Sequence, residues 1–302
     1  MAKLDYFVVD VFTTESLAGN PLAVVMNTCS LTTERMQAIA REFNLSETTF
    51  VERRPADVER AEGIRVRIFT TQEELKFAGH PTLGTASVLK MFAPETVQGD
   101  AVTLAENVGP VPVRFEAGAA GLAGLFGEMT QPDPEFGQEL ANAEVAALIG
   151  LTNDDLDAKM TPQVVSTGAP FAIVVLRSAK ALARLKVNQE NATEWLRGRG
   201  GRWFYVLAPT PDPSEDGPMY RARMQFYGGE DPATGSAAGC AIAYLVARDA
   251  VSSDVRVQVL QGVEIGRPSH LFLTARKENS RVRDVRVGGS TVLVAKGQLF
   301  LP

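Results

Sequence analysis

Cysteine and histidine are both scarce in this chain, which has only Cys29, Cys240, His80 and His270. Two cysteines are too few for a disulfide framework in 302 residues, so both are predicted to be reduced and structural. HExxH and CxxC motifs are missing, and no Asp/His cluster has the spacing of metal ligands. The sequence therefore predicts no metal site built from protein side chains.

The glycine motifs that bind phosphates are missing as well. No GxGxxG follows a strand pattern, and no GxxxxGK[ST] occurs. Dinucleotide and nucleotide cofactors are therefore not expected. We predict that the chain uses no cofactor and that its chemistry depends on ordinary side chains.

Basic charge and long apolar runs are equally lacking. The net charge of −6 argues against a nucleic-acid partner, because binding to the phosphate backbone needs a basic face. No stretch approaches the ~18 uninterrupted apolar residues of a membrane span. Asp5 and Asp10 interrupt the first apolar run, which favours a strand over a signal peptide. We therefore expect a cytoplasmic protein with no nucleic-acid and no membrane partner.

An internal repeat is present and points to duplicated halves. GNPLAVV at Gly19–Val25 recurs as GAPFAIV at Gly168–Val174, and PTLGTAS at Pro81–Ser87 recurs as PATGSAA at Pro232–Ala238. Both motifs recur in the same order at an offset of about 150 residues, half the chain. Two motifs at one offset favour a duplication over chance.

The repeat and the length together predict the fold class and the domains. A chain of 302 residues fits two domains better than one core. We predict an α+β protein with two pseudo-symmetric domains, each an antiparallel β-barrel-like sheet wrapped around a central helix. The domains are predicted at 1–130 and 131–302, with a last strand that is able to cross back to the first domain.

The segment GGEDPATGSAAGCAIAYL, from Gly228 to Leu245, predicts a helix that begins near Pro232 behind two acids, Glu230 and Asp231. The start of such a helix has unpaired N–H groups that bind anions. Asp231 has two interpretations, a helix N-cap or a group that orients a ligand. An acid beside an anion-binding helix start is the first hypothesis for this segment.

Three further polar residues also have two interpretations each. Glu47, in NLSETTFVE, is either a structural acid, solvated in a turn or a local capping partner for Asn44, or a general base in an apolar cleft. His80, in AGHPT, either caps its own loop or donates a hydrogen bond to a substrate. Ser236 is either a small helix residue or a contact for a substrate carboxylate.

At these residues the chain resembles the PhzF family of phenazine biosynthesis, within the diaminopimelate-epimerase-like fold. The motifs that carry the resemblance are GNPLAVV, NLSETTFV, FAGHPTLGTA, EDPATGSAAG and QGVEIGRPS, which occur in family order from residue 19 to residue 269. The resemblance implies two similar domains with the site between them, a homodimer, and cofactor-free isomerisation of a small-molecule carboxylate such as trans-2,3-dihydro-3-hydroxyanthranilate. It also implies that Glu47 is the catalytic acid/base.

The remaining site residues are also carried over by motif. The resemblance implies that His80 and Asp231 hold and polarise the substrate. Ser236, with the amides around Gly79 and Gly235, is implied to bind the substrate carboxylate. These residues, with Glu47, make up the predicted site, and no metal ligand is among them.

Two alternatives remain open beside this hypothesis. One is an epimerase or racemase of amino or hydroxy acids, although related enzymes of that kind have paired cysteines where this chain has Gly79, His80 and Asp231. The other is a non-catalytic homologue that binds a small molecule. QGVEIGRPS is expected to be structural, with Glu264 and Arg267 pairing across a turn or an interface.

Overall fold

The chain divides into two compact units. The first comprises Met1–Thr130 with Gly288–Pro302, and the second comprises Gln131–Val287. The computed structural model describes residues 2–116, 124–211, 217–226 and 229–301. Gly228, the first residue of the GGEDPATGS segment, lies outside the described residues.

The described residues form strands and helices that we number in chain order. The strands are β1 Ala2–Val11, β2 Asn20–Val25, β3 Glu47–Glu52, β4 Ile64–Thr70, β5 Glu74–Leu75, β6 Ala101–Glu106, β7 Gly109–Phe115, β8 Leu125–Thr130, β9 Glu135–Glu139, β10 Gln163–Ser166, β11 Pro170–Val175, β12 Trp203–Pro209, β13 Met219–Arg223, β14 Gln225–Phe226, β15 Gly229–Glu230, β16 Val257–Gln261, β17 Ser269–Glu278 and β18 Arg281–Leu301. The α-helices are α1 Thr33–Phe43, α2 Ala56–Glu62, α3 Gly79–Phe92, α4 Asn142–Leu148, α5 Ala179–Ala183, α6 Gln189–Arg197 and α7 Gly235–Ala247. Short 3₁₀ helices cover Pro94–Thr96, Asn153–Asp155 and Val263–Ile265.

The first unit is a closed eight-stranded barrel around one helix. Its strand order is β1–β2–β3–β4–β6–β7–β8–β18, and β18 pairs again with β1. The sequence of β6, AVTLAE, alternates between half-buried and buried side chains, as expected for a strand with one face toward the interior. The enclosed helix is α3, which contacts β1, β2, β3, β6, β7 and β8. The predicted barrel-like sheet around a central helix is confirmed for this unit.

Helix α3 fits inside the barrel because most of its side chains are small or apolar. Residues Gly79–Leu89 are all buried, which is typical of a helix enclosed by protein on every side. Gly84 allows a close approach to the wall, since a Cβ there would lie 2.7 Å from Leu22 Cδ2 and 2.8 Å from Val11 Cγ2. The PTLGTAS motif therefore encodes the packing of this helix against β1 and β2.

The second unit repeats this plan with a sheet around α7. Its strand order is β18–β17–β16–β13–β12–β11–β10–β9. Helix α7 is buried from Gly235 to Val246 and contacts β10, β11, β12 and β17. Helices α4, α5 and α6 contribute to an apolar cluster that includes Val145, Leu182 and Leu196. The α+β class and the pair of similar domains are confirmed.

The connections explain why the sheets are not wholly antiparallel. In the first unit β2 pairs with β3, and β4 pairs with β6, in parallel. In the second unit β11 pairs with β12, and β13 pairs with β16, in parallel. Each of these pairs is joined by a segment containing a helix, and such a crossover is what a parallel pair requires. The helices at corresponding places are α1, α3, α5 with α6, and α7.

The two units are equivalent residue by residue at their first parallel pair. Leu22 of the GNPLAVV motif pairs with Glu47, and Phe171 of the GAPFAIV motif pairs with Trp203. Glu47 and Trp203 therefore occupy equivalent positions, each at the first residue of its strand. The duplication keeps the backbone, but it gives the two units different side chains at this position.

An arginine–glutamate pair marks the same equivalence further along. Arg67 forms a bidentate ion pair with Glu74 in the first unit, with distances of 2.8 and 2.6 Å. Arg223 forms the same pair with Glu230 in the second unit, again at 2.8 and 2.6 Å. In both units the two residues are seven apart in sequence. Glu74 and Glu230 thus share one structural role.

The central helices are too short to cross a bilayer. Helices α3 and α7 have 14 and 13 residues, against the ~20 residues that a membrane span needs. Across the described ranges, no helix combines the length and the apolar character of a membrane span.

Candidate active site

Glu47 lies at the start of β3 and is largely shielded from solvent. Helix α1 ends at Asn44, whose left-handed conformation (φ 51°) and N–H bond to the Ala40 carbonyl turn the chain toward β3. Glu47 then pairs with Leu22 on β2 and Thr70 on β4. It is 8% exposed, so its interpretation as a solvated turn acid is wrong.

His80 lies beside Glu47. Its Nε2 lies 3.5 Å from Glu47 Oε2, and the residue is 3% exposed. A bond of 2.8 Å between the hydroxyls of Thr49 on β3 and Thr85 on α3 ties together the two elements that carry this pair. The carboxylate and the imidazole predicted from two separate motifs are therefore brought together by the barrel and its helix.

The other ring nitrogen of His80 is held by Asn20. Asn20 Nδ2 lies 3.1 Å from His80 Nδ1. In the tautomer in which Nδ1 accepts from the Asn20 amide, the ring proton lies on Nε2. Among the described residues His80 Nε2 has no hydrogen-bond partner. In that tautomer the N–H on the Glu47 side of the ring can donate to a ligand.

His80 is uncharged at physiological pH. Burial lowers its pKa to about 3, and the Pro21 carbonyl, which favours the charged ring, offsets only part of this effect. A buried imidazole with such a low pKa is a poor proton store but a good neutral hydrogen-bond donor. This difference separates the role of His80 from that of a carboxylate.

The start of α3 beside His80 has no side-chain cap. The residue at the N-cap position is Ala78, and no side chain there accepts a hydrogen bond from the first turn. Gly79 and His80 provide the first two amides of the helix, and Pro81 has none. The structure thus places two predicted site residues, Gly79 and His80, at a buried helix start with the positive end of a helix dipole.

The acids Glu230 and Asp231 in the second unit have different environments. Glu230 forms a bidentate ion pair with Arg223. Asp231 is 6% exposed, and its Oδ2 accepts a hydrogen bond of 2.6 Å from the Thr234 hydroxyl. The two neighbouring acids do not act as a pair, and only Asp231 belongs to the candidate site.

Gln261 holds the turn that carries Asp231. Its Nε2 donates to the Asp231 carbonyl and to Thr234 Oγ1, both at 2.9 Å. Its Oε1 accepts from the Thr234 N–H at 3.1 Å and from the Tyr205 hydroxyl at 3.0 Å. Gln261 is fully buried, so these bonds use both ends of the amide in a place that water does not reach. Its side chain therefore fixes the conformation of the Asp231–Thr234 turn.

This turn also explains why α7 begins later than predicted. The sequence predicts a helix start near Pro232, whereas α7 begins at Gly235. The Thr234 hydroxyl is used by Asp231, and no side-chain bond caps the helix. Gly235 and Ser236 are therefore the first helical residues, and Ser236 is 6% exposed. Both lie at the helix start, as the predicted site requires.

The phenol of Tyr205 is kept neutral beside this network. Burial raises its pKa, and the negative charge of Asp231 adds to the shift. The hydroxyl consequently stays a donor to Gln261. The second unit thus has a buried chain of hydrogen bonds from Tyr205 through Gln261 and Thr234 to Asp231.

Cys240 lies in the interior of α7 as a neutral thiol. It is fully buried, and burial raises its pKa to about 11 despite a hydrogen bond with Thr167. Its Sγ lies 3.4 Å from Thr167 Oγ1 and 3.5 Å from the Ala169 carbonyl. A thiol in this state is not a nucleophile or a base. Cys29 is exposed and donates to the Arg53 carbonyl at 3.1 Å.

We expect Cys240→Ser to leave enzymatic turnover within about twofold of the wild type, because the neutral thiol supplies no charge that serine would lack. Serine also retains a donor for the Ala169 carbonyl. Steady-state kinetics and exchange of substrate protons with deuterated water would be measured side by side. A loss of about tenfold or more in exchange would instead indicate thiol chemistry of the racemase kind.

Three residues of these networks, Asn20, Tyr205 and Gln261, are absent from the sequence-based site. Asn20 lies within GNPLAVV and Gln261 begins QGVEIGRPS, and both motifs carry the family resemblance. Membership in these motifs was therefore the sequence feature that could have pointed to the two residues. Glu264, in the second motif, pairs with Arg221 at 2.7 Å. The missed residues act through other residues, which a motif match does not show.

Solved structures with a similar fold include isomerases and epimerases. A phenazine biosynthesis protein of the PhzF family from Bacillus anthracis superposes with a TM-score of 0.84 at 26% identity, with both chains covered completely. A predicted epimerase from Pseudomonas aeruginosa superposes with a TM-score of 0.82 at 32% identity, covering 99% of this chain and 100% of the other. A probable proline racemase from Agrobacterium radiobacter shares the fold alone, with a TM-score of 0.63 at 12% identity.

The sequence comparisons define the family. The family model of phenazine biosynthesis-like proteins, PhzC-PhzF, matches residues 9–297, and the chain belongs to this family. An uncharacterized isomerase of Mesorhizobium japonicum is 36% identical, with both chains covered completely. The trans-2,3-dihydro-3-hydroxyanthranilate isomerase of Pseudomonas aeruginosa is 35% identical, covering 98% of this chain and 99% of that protein. The predicted family and the predicted class, a PhzF-type isomerase, are confirmed.

Proposed function

We propose that this isomerase shifts a proton between two carbons of a small cyclic or amino-acid-like carboxylate, such as trans-2,3-dihydro-3-hydroxyanthranilate, without a cofactor. The observation that carries the proposal is the buried pair of Glu47 and neutral His80, with 3.5 Å between Oε2 and Nε2. The name of the Pseudomonas aeruginosa relative supports the substrate class.

Glu47 is proposed to be the catalytic acid/base. As a carboxylate it takes a proton from one ring carbon, and as a carboxylic acid it returns the same proton to another carbon, so it is regenerated in each turnover. A site shielded from water favours the return of that proton over its loss to solvent. The 8% exposure of Glu47 supports this role.

His80 and Asp231 are proposed to hold and polarise the substrate. The Nε2–H of His80 is a donor for a carbonyl or hydroxyl where negative charge develops, and its neutral state leaves the basicity of Glu47 intact. Asp231 is held by Thr234 and is an acceptor for the substrate amine or hydroxyl. That one ligand engages both residues is part of the proposal.

The carboxylate of the substrate is proposed to bind Ser236 and the amides around Gly79 and Gly235. Both helix starts lack a side-chain cap, and a helix start without a cap has N–H groups for an anion. An anionic ligand there would be stabilised further by the helix dipole.

Proton NMR of the purified protein with trans-2,3-dihydro-3-hydroxyanthranilate in deuterated water would test the proposal. We expect conversion to an isomer of equal mass apart from any deuterium taken up at the carbon that receives the proton. Inversion at a single carbon without a shift of the double bonds would favour the epimerase alternative. Binding of the compound with neither conversion nor exchange would favour the non-catalytic alternative.

We further propose that the protein is a cytoplasmic homodimer that serves a biosynthetic pathway of the phenazine type. Light scattering coupled to size-exclusion chromatography would test the assembly, with twice the mass of one chain as the expected result.

A further inference from the structure

Glu106 is a buried carboxyl group at the end of β6, and the proposed reaction does not use it. It is 5% exposed, and Oε1 lies 2.6 Å from the hydroxyl of Thr82 in the first turn of α3. Its other oxygen, Oε2, is buried and has no hydrogen-bond partner among the described residues. An ionised carboxylate with so few donors would be poorly stabilised there.

The two short contacts of the Thr82 hydroxyl indicate whether Glu106 is protonated. Thr82 Oγ1 lies 2.7 Å from the Ala78 carbonyl as well as 2.6 Å from Glu106 Oε1. A hydroxyl has one proton, and a carbonyl oxygen has none to give. Both short contacts are hydrogen bonds only if Thr82 donates to Ala78 and Glu106, as a carboxylic acid, donates to Thr82. The geometry therefore favours the protonated form.

The second unit has a neutral amide at the equivalent position. Arg65 of β4 pairs with Ala105, and the equivalent Arg221 of β13 pairs with Leu260. The next residues are Glu106 and Gln261, and each ends its strand. Gln261 also contacts a threonine at the start of the central helix, namely Thr234. Where the second unit has an amide, the first has a carboxyl group, which resembles an amide in shape and charge only when protonated.

The electrostatic surroundings of Glu106 also favour its protonated form. Burial raises the pKa of Glu106 to about 8, while the Thr82 hydroxyl and the Arg65 charge offset only part of the shift. The titratable groups on the elements that pack against β6 are Arg65 and Arg67 on β4, Arg114 on β7, His80 and Lys90 on α3, and Asp57, Glu59, Arg60 and Glu62 on α2. Of these, Arg65 is the charged group that acts on Glu106.

We infer that Glu106 is a positioning residue that works only as a neutral acid: it anchors the first turn of α3 through Thr82 and leaves the Gly79 end of that helix open to an anionic ligand. Ionisation would leave the single Thr82 proton for only one of its two contacts, Ala78 or Glu106, and would place a negative charge beside the helix start. A charge there would repel the substrate carboxylate. The part concerning the ligand rests on the proposed function, whereas the protonation and the anchoring do not.

Infrared difference spectra of wild type minus Glu106→Gln test the protonation without any ligand. The C=O band of a carboxylic acid is expected in the wild type at about pH 6.5 and should weaken with a midpoint near the pKa of about 8. If the variant folds poorly, the same C=O band can be followed in the wild type alone as the pH is raised. Absence of the band at about pH 6.5 would overturn the inference.

Hydrogen exchange tests the anchoring, also without a ligand. After correction for the intrinsic effect of pH, exchange in the first turn of α3 should rise at least about threefold between about pH 7 and about pH 9 in the wild type. Glu106→Gln should show no such rise, because glutamine donates to Thr82 at either pH. Equal behaviour of the two proteins would show that Glu106 does not anchor the helix.

The pH dependence of kcat/KM tests whether the protonation of Glu106 affects the reaction. In the wild type kcat/KM should fall roughly tenfold from about pH 7 to about pH 9, because about a tenth of Glu106 is protonated one unit above a pKa of about 8. The fall should appear mainly in KM, since repulsion acts on substrate binding. Glu106→Gln should lack it, and Glu42→Gln, an exposed carboxylate on α1, should show it in full.

The outcomes separate the two proposals. Failure to isomerise trans-2,3-dihydro-3-hydroxyanthranilate would contradict the proposed function, while the spectra and the exchange data still decide about Glu106. If kcat/KM of Glu106→Gln still falls as the pH rises above neutrality, Glu106 does not affect binding of the ligand.

Discussion

Glu47→Gln is expected to lower kcat by about 10³-fold, because general acid/base catalysis contributes about 10²–10⁴-fold and glutamine cannot take up a proton. The variant keeps the shape of the side chain at the start of β3 and retains a polar group next to His80. Its KM should change little, since the residue is proposed to act on the carbon-bound proton. Turnover and deuterium uptake should be lost together.

Glu52→Gln is the matched control, because Glu52 ends the same strand and lies 3.8 Å from Arg65. Its kcat should stay within about twofold of the wild type. Wild-type turnover in Glu47→Gln would remove the acid/base assignment, whatever the substrate. Thermal unfolding of both variants would show whether a loss of activity reflects loss of the fold.

Asp231→Asn is expected to lower kcat/KM by roughly 10²-fold, with most of the effect in KM. The substitution removes a negative charge that is proposed to accept from the ligand, and hydrogen bonds to charged groups contribute about 1.5–3 kcal/mol. The fold should persist, because Gln261 bonds the backbone carbonyl of residue 231 and not its carboxylate. Kinetics with trans-2,3-dihydro-3-hydroxyanthranilate would measure the effect.

Asp249→Asn serves as the comparison for this variant, since Asp249 is a surface carboxylate whose side chain is 80% exposed beside Lys277. Its kinetics should match the wild type. An equal KM in the wild type and Asp231→Asn would show that Asp231 does not bind the substrate. A fall in kcat alone would show that Asp231 acts in the chemical step.

Much of the fold was predictable because the duplication leaves local signals. GxPxA and PxxG[ST]A mark a strand and a central helix in each half, and both elements appear in both units. The segment LTTERMQAIAREF has a capping threonine and helical spacing of its apolar residues, which predict a helix up to Asn44. Helix α1 begins after Thr32, whose side chain accepts from the Arg35 N–H, and Asn44 is its C-cap. Such signals depend on residues close in sequence.

Other features depend on residues far apart in sequence. The pairing of Glu47 with His80 was implied by the family resemblance but not by either segment alone. The bonds from Asn20 to His80 and from Gln261 to Thr234 cross 60 and 27 residues. The protonated state of Glu106 depends on burial and on the second bond of Thr82. No periodicity or capping rule reports contacts of this kind.

The different residues at the equivalent strand starts, Glu47 in the first unit and Trp203 in the second, have a stereochemical consequence. Racemases with two bases can remove a proton from one face of a carbon and deliver another to the opposite face. A single carboxylate that keeps its proton must return it to the face of the ring from which it came. The proposed reaction is therefore suprafacial, since Trp203 offers no second base at the position equivalent to Glu47.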